Sequence, residues 1–184
     1  MRTFIYISVI CVLTCGGAVF GKAQAPEKAA GSARSVSEES GLDKKELRAK
    51  ACGSESANFT ATTDKSQRPM PAAPDDKAMI YVLRSTMIGY KIHSKLAVDG
   101  NWVGVNRGKT YFYFPIEPGE RFFCSESENQ SYLALNVEAG KTYYLQQQVK
   151  PGVWKARTQL VVLDEDEAKK KLEDLNLSVF SRKD

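Results

Sequence analysis

The chain has a single histidine in 184 residues, His93. A Ser-His-Asp triad built elsewhere is therefore excluded, as is a zinc site made from a histidine pair. No GxxxxGK followed by Ser or Thr occurs, and no GxGxxG, GxSxG or HExxH, so nucleotide loops and the common hydrolase signatures are missing. The acidic run Asp164-Glu165-Asp166-Glu167 contains no glycine, and a calcium loop needs one for its turn. Neither sign of charge is in large excess. The formal net charge is +4, of which Arg2 and Lys22 contribute two within the first 25 residues, leaving +2. That is too little for an electrostatic footprint on nucleic acid. A hydrolytic carboxylate pair need only be close in space, so it stays open as a distant alternative, but no apolar pocket is suggested around Glu120, Glu126 and Glu128, which read as turn and edge residues. These gaps lead to an expectation of no enzymatic activity, no cofactor and no metal.

Cysteine is also sparse. Cys11 and Cys15 lie in the apolar N-terminal stretch, leaving Cys52 and Cys124. Residues 1–25, "MRTFIYISVICVLTCGGAVFGKAQA", begin with Arg2, continue apolar from Phe4 to Leu13 and exit through small residues to Ala25. This is the layout of a secretory signal peptide. The uncharged run from Thr3 to Gly21 is long enough to approach a membrane span, but Cys15-Gly16-Gly17 interrupts it. Val12-Leu13-Thr14-Cys15 approximates a lipobox, with Thr14 larger than the residue usual before an acylated cysteine, so lipidation at Cys15 is the alternative to simple cleavage. Either route takes the chain to the periplasm, the cell surface or the extracellular space. There the remaining pair, Cys52 and Cys124, is expected to form a disulfide.

Residues 26–77 read as a flexible, low-complexity leader followed by a proline-rich linker. "PEKAAGSARSVSEESGLDKKELRAK" has no aromatic residue and almost no aliphatic one, too little to offset ordering entropy. A weak helix is expected around Asp43–Lys50, and "ANFTATT" (57–63) reads as a short edge strand. "SQRPMPAAPDDK" holds three prolines, which oppose both helix and sheet.

The character changes at Ala78. "AMIYVLR" is apolar on both faces and reads as a central strand. In "IHSKLAV", Ile92, Ser94, Leu96 and Val98 point one way and His93, Lys95 and Ala97 the other, which puts His93 in solvent. Asp99-Gly100 is the signal of a type I′ hairpin, with "NWVGVN" returning. "TYFYFPI", "RFFCSE", "YLALNV", "TYYLQQQV" and "WKARTQLVVL" follow at regular intervals between turns. The expected fold is mainly β: an antiparallel sandwich of about seven to eight short strands over 78–178 with one C-terminal helix packed on it. That helix closes the chain. Asp164 is its N-cap and Glu167 completes a capping box, while Ala168, Leu172 and Leu175 form a packing stripe.

Aromatic residues concentrated in strands are the best binding lead. Trp102, Tyr113 and Trp154 are the candidates for a face that stacks on cell-wall glycan. The competing reading is that strand aromatics pack the core, and for Trp102 this second reading is favoured: it covers the sheet beside its hairpin. Asn58, Asn129 and Asn176 head Asn-x-Ser/Thr triplets that arise readily by chance.

In their order and spacing "AMIYVLR", "VDGNWVG", "TYFYF", "EPGERFFC", "EAGKTYYL" and "DEDEAKKKL" resemble the bacterial domain-of-unknown-function family 2846 over roughly 78–175. The resemblance implies a secreted or lipid-anchored β-rich envelope domain and carries over no catalytic residue. The hairpins Val98–Gly104 and Glu117–Cys124 also resemble those of small surface modules of the PEGA type. The combined expectation is a monomeric, non-enzymatic envelope domain with a structural or binding role. Its partner would be cell-wall glycan or another envelope protein, its contact with membrane would come only through the signal segment or a lipid at Cys15, and nucleic acid is excluded.

Overall fold

The structure is a computed structural model, and it describes residues 33–34, 43–55, 57–150 and 157–183. The elements in chain order are β1 (Ala33–Arg34), α1 (Lys44–Cys52), β2 (Asn58–Asp64), β3 (Ala78–Arg84), β4 (Ser94–Val98), β5 (Asn101–Asn106), β6 (Thr110–Ile116), β7 (Gly119–Glu126), β8 (Gln130–Val137), β9 (Thr142–Lys150), β10 (Arg157–Leu163), α2 (Glu165–Leu172) and β11 (Asn176–Lys183). One sheet runs β1-β8-β7-β4-β5 and the other β10-β9-β3-β6-β11-β2. The two face each other as a sandwich, as the strand rhythm predicts.

The inner faces supply one continuous core. Ala78, Ile80 and Val82 of β3, Phe112 of β6, and Tyr143 and Leu145 of β9 meet Leu96, Val98, Phe123, Leu133, Leu135 and Val137 of the opposite sheet. Burying this apolar surface is the main force holding the sheets together. β3 is buried along its whole length, as a strand apolar on both faces must be. Asp99 and Gly100 have φ of 48° and 82°, the paired positive values that the Asp-Gly hairpin requires.

Three features depart from the expected plan. First, the six-stranded sheet is mixed. β3 pairs parallel with β9 and β11 pairs parallel with β6, because both partners arrive by long crossovers and not by hairpins. Second, the chain does not close on the helix. Asn176 and Leu177 begin a further strand, β11, which inserts between β6 and β2. Its alternation is short, but Phe180 reaches the core against Phe112 at 5.2 Å. Third, the described part of the 26–77 leader belongs to the domain. α1 lies on the outer face of the five-stranded sheet, burying Leu47, Ala51 and Cys52, and β2 forms the outer edge strand beside β11.

Each sheet is therefore covered on its outer side as well. Under α1, the Cys52–Cys124 disulfide, with Cα atoms 5.2 Å apart, packs with Ala97 and Trp102. The face assigned to solvent by alternation is thus half covered, and Ala97 is fully buried. Over the six-stranded sheet lie α2 and the proline-rich segment. Asp164 caps α2 by accepting from the Glu167 N–H at 3.1 Å. Ala168, Leu172 and Leu175 pack on Met79, Tyr81, Leu83 and Tyr144, as their spacing predicts. Prolines cannot donate, but their carbonyls accept. Tyr81 donates to the Pro71 carbonyl at 2.7 Å and Tyr111 to that of Pro69 at 3.0 Å, so the supposed linker is fastened across the sheet.

Candidate functional site

The sandwich interior is not uniformly apolar. Toward the end where β3 and β5 finish and β4 begins, the inward positions turn polar. Arg84, Ser94, Asn106, Thr110, Ser125, Gln147 and Thr158 are all buried there. Asn106 Nδ2 donates to the Val82 carbonyl at 3.0 Å and to Gln147 Oε1 at 3.2 Å, and Thr110 Oγ1 donates to Asn106 Oδ1 at 3.0 Å. Gln147 Nε2 reaches the carbonyls of Ser94 and Lys95, each at 3.2 Å, and Ser125 Oγ at 3.0 Å. This network ties the two sheets with directional bonds where apolar contacts stop.

Arg84 is fully buried and faces no carboxylate in its hydrogen bonds. Its guanidinium donates instead to the backbone of the following loop: Nη1 to the Ile92 carbonyl, and Nη2 to Ile88 at 3.1 Å and Gly89 at 2.7 Å. Burial pushes its pKa down to about 10, which still leaves it charged at neutral pH. One cation at the end of β3 thus pins the turn and the far end of the loop 85–93. Gly89, at φ 62°, keeps that turn tight: a side chain there would collide with Ile92. The neighbouring loop locks on through Gly108, whose N–H donates to the Tyr90 carbonyl at 3.3 Å, and through Arg107, stacked on the Tyr90 ring at 5.2 Å.

The pinned loop exposes Met87, Ile88 and Tyr90 at 56%, 47% and 41% of their surfaces. Among the described residues only Met70 and Val179 are further large apolar side chains left so open. Lys91 is exposed beside them, and Arg107 and Lys109 are half-buried. Segments 84–93 and 105–110 contain no Asp or Glu. His93 is half-buried here and not in solvent as alternation suggests. Burial, then the charges of Arg107 and Arg84, hold its pKa below the usual imidazole value.

The aromatic candidates lie elsewhere. Trp102 is 9% exposed, its indole N–H donates to the Glu55 carbonyl at 2.7 Å, and Lys95 Nζ sits 4.8 Å from its ring. It is a core residue beside the disulfide. Tyr113 is half-buried and packs on Tyr81 at 5.5 Å on the face covered by α2. Trp154 lies outside the described residues. The three are not brought together by anything the structure describes. Near that tyrosine face is a cleft of about 400 Å³ between the proline-rich segment and α2, lined by Arg68, Met70, Tyr111, Lys169, Leu172 and Glu173. Its cations are already engaged: Arg68 donates to the Glu173 carbonyl and Lys169 pairs with Glu165 at 2.7 Å.

Of the sequon asparagines, Asn129 is occupied structurally. Its amide nitrogen donates to the Thr158 carbonyl at 3.0 Å and its oxygen accepts from the Thr158 N–H at 2.5 Å, closing the sandwich edge. Glu126 pairs with Lys95 at 2.5 Å. Burial raises its pKa, but bonds from Lys95 and Gln130 outweigh that and leave it lowered. Among the described residues no three His, Cys, Asp or Glu side chains gather as metal ligands, and no helix is long and apolar enough to cross a membrane. Sequence reading missed the loop 85–91. The available signal was two large apolar residues, Met87 and Ile88, inside a segment bounded by Gly89 and two cations.

The molecule is thus a mixed-sheet β-sandwich with a helix on each outer face and one apolar, basic loop end. Residues 74–159, which carry strands β3 to β9, match the family described as "Protein of unknown function (DUF2846)". An "Uncharacterized protein" of Haemophilus influenzae is 33% identical over 101 residues, covering 54% of this chain and 60% of that relative's length. No solved structure matches.

Proposed function

We propose that the protein is an exported cell-envelope domain that works by binding or support and carries out no covalent chemistry. The observation that carries this reading is the distribution of side chains. The strand aromatics of the described fold are engaged in packing, while three of the five exposed large apolar side chains among the described residues gather on one loop beside Lys91, Arg107 and Lys109, suited to contact and not to a reaction. Export is supported by the signal-like first 25 residues and, more weakly, by a disulfide compatible with an oxidising compartment. The site of action is the periplasm, the cell surface or the extracellular space, with the domain monomeric and tethered or freed according to whether Cys15 is acylated. The family match adds no activity, because that family is of unknown function.

The test is intact-mass analysis of the protein recovered from its native cells and alkylated without reduction. The reading predicts a chain processed within or just after the first 25 residues, or one beginning at a lipidated Cys15, with Cys52 and Cys124 unlabelled. An unprocessed N-terminus with both thiols labelled would overturn export.

A further inference from the structure

We propose that the loop carrying Met87, Ile88 and Tyr90 inserts into the headgroup region of an anionic lipid bilayer. The inference deepens the binding reading above by naming the surface bound, and it rests on that reading's choice of working face, not on export.

Three observations lead to it. The apolar side chains sit on a turn, Ile88–Lys91, and this apex is too small for a stable protein interface, which buries on the order of 1,200 Å² or more. A bilayer needs no complementary pocket, and it accepts the apolar parts of Met and Ile while Tyr keeps its hydroxyl at the headgroup level. The two segments that form the apex, 84–93 and 105–110, carry charge of one sign only. Lys91, Arg107 and Lys109 flank the apex. Lys150 and Arg157, paired across the β9–β10 ladder, stand farther off at the same end, where Glu128, next to the Asn129 that bonds Thr158, faces them, and Glu126 is taken up by Lys95; the attraction therefore comes from the apex cations themselves. Such a rim is attracted by phosphate-bearing headgroups, and long Lys and Arg stems can lie along the interface with their charges in water. The loop is also preorganised. The buried Arg84 holds three of its carbonyls, so little ordering entropy is lost on docking.

Deuterium exchange read on the peptide spanning 85–93 tests this with the whole protein. The local readout separates the loop from any membrane affinity of the N-terminal segment, which is the same in every arm. Vesicles of phosphatidylcholine with an equal share of phosphatidylglycerol should slow exchange in this peptide about tenfold. Phosphatidylcholine alone should slow it less than about twofold. The exposed-site variant Met87→Ser/Ile88→Ser/Tyr90→Ser, and separately Lys91→Glu/Lys109→Glu, should remove the protection while far-ultraviolet circular dichroism stays unchanged. The proposal is overturned if the wild-type peptide exchanges equally with and without anionic vesicles. It is overturned too if protection survives in the triple variant, or is the same on neutral vesicles. Any of these results would leave the export test of the previous subsection standing.

Discussion

Removing the Cys52–Cys124 bond probes how the N-terminal part of the domain is held. The bridge closes a loop with a sequence separation of 72 residues. In the chain-entropy picture that constraint on the unfolded state is worth about 4 kcal/mol, an upper value because denatured chains retain structure. The structure says where the loss is felt. α1 has 9 residues, too short to persist alone in water, and it buries only Leu47, Ala51 and Cys52. Its C-terminal end is further held by the Gly100 N–H, which donates to the Ala51 carbonyl at 3.3 Å. In the Cys52→Ala/Cys124→Ala variant, α1 should detach while the inter-sheet core survives. With a urea dependence of roughly 2 kcal/mol per molar for a protein of this size, the unfolding midpoint should fall by about 2 M. Hydrogen exchange should show the amides of 45–52 exposed and those of β3 and β9 still protected. A midpoint within about 0.3 M of wild type, or α1 amides still slow in the variant, would refute the reasoning.

Arg84→Met removes the donor to three loop carbonyls and should cost roughly 2–4 kcal/mol, with Arg84→Lys only partly rescuing; urea unfolding together with exchange in the 85–93 peptide measures both. Trp102→Phe loses the indole bond to Glu55 and should cost about 1 kcal/mol, and retention on purified cell wall should not change, because the ring faces α1 and the disulfide and not solvent. His93 carries a sign-definite pH effect. Its folded pKa lies below the unfolded value of 6.5, so the unfolded chain takes up protons first as pH falls. The stability it contributes is complete above that value and is lost on acidification toward the folded pKa. The unfolding midpoint should therefore drop more between pH 7.5 and 5.5 in wild type than in His93→Asn, and equal drops would contradict the assignment.

Much of the sandwich is readable from local pattern because alternation and turn chemistry are local. "AMIYVLR" announces a strand buried on both faces, and Asp99-Gly100 announces its hairpin. The Asp164 cap and the Ala168, Leu172, Leu175 stripe announce a helix and its packed side. What escapes local reading is set by distant partners. The parallel pairing of β3 with β9 joins segments some sixty residues apart, so no periodicity records it. The leader looks too polar to fold, yet Leu47, Ala51 and Cys52 suffice once a disulfide and Trp102 await them. Gln146-Gln147-Gln148 resembles a solvated strand, but Gln147 is fully buried because backbone carbonyls of β4 and Ser125 meet its amide. Hydropathy does not register that compensation. Terminal Leu177–Phe180 alternates for too few residues to stand out, and only the vacant edge of β6 explains its strand.

The central claim is that Trp102, Tyr81, Tyr111 and Tyr144 are closed inside the fold and that the loop 85–91 gathers three of the five open large apolar side chains among the described residues. Hydroxyl-radical footprinting of the native protein, read residue by residue, tests it directly. The account predicts fast oxidation of Met87 and Tyr90, with Trp102, Tyr81, Tyr111 and Tyr144 at least about tenfold slower, in line with shielding of buried rings. Oxidation of Trp102 or Tyr81 at the rate of Tyr90 in folded protein would contradict it.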